Sequence, residues 1–64
     1  MKRGKFIRHL EAHHCPLHRH GSRHDIYKNE LTGKRTSVPR HGDIDEDLCR
    51  EICKQLEIPK VTTG

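Results

Sequence analysis

Sixty-four residues hold one domain, and with 30% hydrophobic residues and only Phe6 and Tyr27 as aromatics, the core they bury is small. Thirteen Lys/Arg against nine Asp/Glu leave a formal charge of +4, which favours a polyanionic partner such as nucleic acid, or an acidic protein. No run approaches the roughly 20 apolar residues of a membrane span, and the basic start is followed by charges where a signal peptide would be apolar. Three cysteines, an odd number, build no disulfide framework and suit a reducing cytoplasm.

The first element is a helix over residues 3–13. Phe6, Ile7 and Leu10 fall on one face and Lys5, Arg8, His9 and Glu11 point outward. Pro16 stops it before Cys15, because the residue preceding a proline is pushed toward extended geometry. Short runs separated by turn residues follow. Strands are predicted over 17–20, 25–28 and 34–38, the last closed by Pro39. Gly21-Ser22 breaks the first two, and Asn29 to Gly33 forms the turn between the second and third.

The last helix has the strongest pattern. Asp43 stands three residues before Glu46, as in a capping box, and Leu48, Cys49, Ile52, Cys53 and Leu56 make an apolar stripe. Pro59 ends it, and residues 60–64 read as a loose tail after a single domain at 1–59. The expected fold is α+β in the order α-β-β-β-α, a three-stranded antiparallel sheet with two helices on one face.

The quoted residues carry a resemblance. Leu10-Glu-Ala-His-His-Cys, then Gly21-Ser-Arg-His-Asp-Ile-Tyr, Thr32-Gly-Lys-Arg-Thr-Ser-Val-Pro-Arg-His and Ile52-Cys-Lys-Gln-Leu, in this order and spacing, resemble the HicA (YcfA-like) toxins from Lys2 to about Ile58. The resemblance implies a double-stranded-RNA-binding-domain-like fold, ribonuclease activity on mRNA as one half of a toxin-antitoxin pair, and neutralisation by a HicB antitoxin. It puts the family histidine of the Gly-Ser-x-His turn on His24. Two positions depart from it: His14 and Glu57 stand just past the helices, where the family often has the glycine of a helix C-cap.

Metal-free RNA cleavage needs a base for the 2′-hydroxyl, an acid for the departing 5′-oxygen, and positive charge near the phosphate. Imidazole suits both transfers because its ordinary pKa, roughly 6.5, lies near working pH. His24 is therefore the candidate acid/base. Gly21 and Ser22 are candidates for phosphate approach, and Arg40, Arg35 and Lys34 for stabilising phosphate charge. His41 is a weaker second histidine, and Lys2, Arg3 and Lys5 form a basic helix end suited to phosphates. No cofactor is required.

Three other readings compete. A non-catalytic RNA-binding module would carry the same basic surface, and so would a protein that meets only an acidic partner. A zinc protein would draw on His13, His14, Cys15, His18, His20 and His24, or on Cys49 and Cys53. The Cys-x2-Cys pairs typical of structural zinc are missing, however, and Cys49 and Cys53 fall in the apolar stripe.

Overall fold

The first helix, α1, spans Arg3–Ala12 in a computed structural model that describes residues 1–61. Strand β1 (Leu17–His20), strand β2 (His24–Lys28), strand β3 (Arg35–Pro39) and helix α2 (Glu46–Gln55) follow, giving the predicted α-β-β-β-α order. The strands form one antiparallel sheet in the order β1-β2-β3, so β2 is central and both neighbours are edges. The edge position explains a one-residue shift. The third strand runs through Pro39, which pairs with His24, because an edge strand tolerates a residue with no N–H to donate.

Phe6 and Leu10 of α1, and Cys49, Ile52 and Cys53 of α2, join Cys15, Tyr27, Val38, Ile44 and Leu56 in one buried cluster. Both helices therefore lie on the sheet face that carries Tyr27 and Val38. All three cysteines are free and buried, packing as small apolar groups, and burial pushes their thiols up from the ordinary range. Leu48, counted in the predicted stripe, is 40% exposed and stands outside the core. Of the tail expected at 60–64, Val61 packs against the cluster, and residues 62–64 lie outside the described residues.

The capping box is not formed. Helix α2 begins at Glu46 with Asp45 as its N-cap, and no side chain caps it. Asp43 instead bridges Lys2 through the backbone, Ile44 and Met1 exchange bonds beside it, and Arg3 N–H donates to the Gly42 carbonyl. The long-range pairing of the N-terminus with residues 42–44 takes the backbone that a local cap would have used. Glu46 and Asp47 still place negative charge at the helix start, where the dipole favours it.

The two departures from the family pattern sit where a glycine belongs. His14 has φ 65° and Glu57 φ 59°, both left-handed. Each follows the C-cap of its helix in a Schellman arrangement. Cys15 N–H donates to Leu10 and His14 N–H to Glu11; Ile58 N–H donates to Cys53 and Glu57 N–H to Lys54. A side chain in this region strains against its own backbone. His14→Gly and Glu57→Gly are each expected to stabilise the chain by about 0.5–1 kcal/mol. The gain should be larger at 57, since histidine accepts the conformation more readily. Thermal melts check this: a rise of roughly 2–8 °C per substitution is expected, and a fall at either site would show that its side chain supports the fold.

Candidate functional site

Strands β1 and β2 meet at a tight hairpin, and the candidate residues gather at its end. His20 pairs with Asp25, and Gly21 N–H donates to the His24 carbonyl at 2.8 Å. A Cβ on Gly21 would lie 2.5 Å from that carbonyl oxygen, so any larger residue would pry the hairpin open. The glycine is thus required by the close approach of its own chain, and its amide is already engaged. Ser22 and Arg23 form the exposed tip, and the Ser22 hydroxyl has no hydrogen-bond partner among the described residues.

His24 is the first residue of β2, exposed, on the face away from the helices. Its neighbour Asp25 points the other way and is buried. There its carboxylate collects three partners: Arg3 Nη2 donates to Oδ2 at 2.9 Å, while His20 Nδ1 at 2.9 Å and Arg40 Nε at 2.8 Å both reach Oδ1. Facing an ionised carboxylate, His20 Nδ1 carries the proton, which leaves its Nε2 toward solvent. Arg40 Nη2 also donates to the Gly21 carbonyl, and Arg3 Nε to the Pro39 carbonyl at 2.8 Å. One buried acid therefore ties α1, both hairpin strands and the segment after β3 to the turn that presents His24.

The His20 hydrogen bond, followed by the contacts with Arg40, holds the Asp25 carboxyl below its ordinary range against the opposing pull of burial. A depressed acid stabilises the fold above the unfolded-state value, about 3.9, and that stability is lost as pH falls through the lower folded-state value. Asp25→Asn is therefore expected to melt lower at neutral pH and to lose less on acidification below about pH 4. Circular-dichroism melts from neutral to acid pH test this, and parallel curves for variant and parent would remove Asp25 from the account.

The other sequence candidates divide. Arg40 stands at the turn, as expected, braced by Asp25. Arg3 also arrives there, as an internal brace with its side chain 23% exposed. His41 follows Arg40 and is exposed. Lys2 and Lys5 are exposed at the start of α1. Lys34 and Arg35 are not brought to His24. Arg35 pairs with Lys28 at the far end of the β2–β3 ladder, four residues or about 13 Å from His24.

The zinc reading finds no ligand set: among the described residues no three His, Cys, Asp or Glu side chains are placed to hold one ion. No described helix is long and apolar enough to cross a membrane.

Sequence reasoning missed His20 and Asp25 as a pair. The signal was present, since an acid alternating with Tyr27 on the buried side of a strand must find cationic partners.

The family model for the HicA toxin of bacterial toxin-antitoxin matches residues 3–58, nearly the whole of the folded chain. No curated protein and no solved structure gives a significant match. The matched span takes in both helices, the sheet and the hairpin that carries His24, and the chain belongs to the HicA toxin family of bacterial toxin-antitoxin systems.

Proposed function

We propose that this toxin is an endoribonuclease that cuts mRNA in the cytoplasm, with His24 as its general acid/base and no metal ion in the reaction, and that a HicB-like antitoxin neutralises it. The observation that carries the reading is the exposed His24 imidazole at the end of a hairpin braced by Arg40 and flanked by the unengaged Ser22 hydroxyl. In the reaction the ribose O2′ attacks phosphorus as its proton passes to imidazole. The P–O5′ bond breaks as O5′ receives a proton from water or from a second, protonated imidazole, for which His41 is the candidate. The products are a 2′,3′-cyclic phosphate and a 5′-hydroxyl, with no oxidant or co-reactant required. Ser22 suits a hydrogen bond to a non-bridging phosphate oxygen, and Arg40 supplies positive charge beside it.

The test is incubation of the purified protein with a defined RNA in excess chelator, beside His24→Ala. Cutting that persists in chelator, leaves cyclic phosphate ends and depends on His24 is the expected result. Equal cutting by the variant would overturn the assignment of His24. Binding without any cutting would favour the non-catalytic RNA-binding module.

A further inference from the structure

On the face of the sheet turned away from the helices Arg19, His24, Arg35 and Ser37 are exposed, Ile26 and Lys28 are half-buried, and Pro39 at the His24 end is buried. Cross-strand register places these side chains in rows: His24 beside Pro39, then Arg19, Ile26 and Ser37, then Lys28 opposite Arg35. The charges on this face have one sign. Asp25 is the only acid in the three strands and it faces the helices, whereas five of the nine acidic residues fall between positions 43 and 51, in α2 and the segment leading into it. Arg19, Lys28 and Arg35 take part in none of the ion pairs among the described residues. Lys28 directly opposite Arg35 is a like-charge pair, which costs stability in a sheet unless something negative lies across it.

We propose that this open face is a track for the phosphodiester backbone of single-stranded RNA, leading from Lys28 and Arg35 past Arg19 to His24. The track deepens the ribonuclease reading and rests on it for the placement of the scissile linkage at His24.

From His24 to Lys28 is about 13 Å, room for about two phosphates of an extended strand. Ile26 and Ser37 in the middle row offer an apolar patch and a hydroxyl between the cations. At the Lys28 end a depression of about 320 Å³ is lined by Pro16, Leu17, His18, Lys28 and Glu30. The Glu30 carboxylate repels phosphate there but accepts hydrogen bonds from a base amino group, and the exposed His18 ring is a stacking surface. The depression therefore suits a base while the cations hold the backbone. Single-stranded RNA fits better than a duplex because the attack at phosphorus needs O2′ and O5′ in line, an arrangement that A-form pairing opposes.

The test is fluorescence anisotropy with a short single-stranded 2′-O-methyl RNA, which lacks the nucleophile and stays intact, titrated at several salt concentrations. Arg19→Ala, Lys28→Ala and Arg35→Ala are each expected to weaken binding about threefold or more and to lower the salt slope by about 0.7. His18→Ala should weaken binding with the slope unchanged, since stacking releases no counterions. Arg50→Ala and Lys54→Ala, which each remove the same charge from helix α2, should leave the slope as it is.

Unchanged slopes in the three sheet variants, or equal losses in the helix variants, would overturn the track. So would preference for a duplex of the same sequence. A polyglutamate peptide that binds through these three cations where the RNA does not would reassign the face to an acidic protein. Cleavage of unmodified RNA, measured alongside, separates this proposal from the one it builds on. Normal cutting by the sheet variants defeats the track alone, and no cutting by a parent that binds with the expected slopes defeats the enzyme reading alone.

Discussion

Alanine at position 24 is expected to slow RNA cleavage by about 10²- to 10⁴-fold, the usual contribution of a positioned proton-transfer group. Stability should hardly change, because His24 is exposed and its backbone bond from Gly21 and its place in the ladder opposite Pro39 remain available to alanine. This separation makes the variant informative. A loss of cutting with an unchanged melting temperature assigns the defect to chemistry, whereas a loss accompanied by a collapsed melt would point to the hairpin. Single-turnover assays with the protein in excess over the RNA and above the dissociation constant read the chemical step. A rate within twofold of the parent would dismiss His24 and turn attention to His20 and His41, which border the same region.

Phe6→Ala should have the largest effect on the fold itself. Phe6 is fully buried and is the only phenylalanine of the chain. Removing such a ring costs about 3–5 kcal/mol through lost transfer energy and the cavity left behind. A domain of this length carries roughly 3–10 kcal/mol in total, so the variant is expected to be largely unfolded near 37 °C. Phe6→Leu, which keeps most of the volume, should fold with a lowered melting temperature. Far-ultraviolet circular dichroism decides the matter: a cooperative melt within a few degrees of the parent for Phe6→Ala would show that the ring contributes little to the core.

The two effects live at different levels of the molecule, and their legibility in the sequence differs accordingly. Helical stripes such as Phe6-Leu10 and Cys49-Ile52-Cys53-Leu56 repeat at intervals of three and four, so a local reading finds them. The break at Gly21 and the glycine turn at Gly33 are local in the same sense, and Gly33 indeed adopts φ 81°. Even the strain at His14 and Glu57 was visible, because a residue just past a helix end meets a known backbone geometry. The capping box failed as a prediction for the opposite reason. Asp43 had a competing partner, Lys2, forty-one positions away, and nothing near Asp43 in the sequence announces it.

By itself, then, the order of residues determined the succession of elements, the apolar faces and the position of the histidine turn, since each depends on neighbours within a few residues. The folded chain alone decided which cations brace that turn and which stand free. Arg3 and Arg40 reach Asp25 across 22 and 15 positions, while Arg35, adjacent in kind and plausible on paper, lies at the other end of the ladder. Strand register and helix packing set those distances, and both follow from burial of the whole core at once, which no short window of sequence contains.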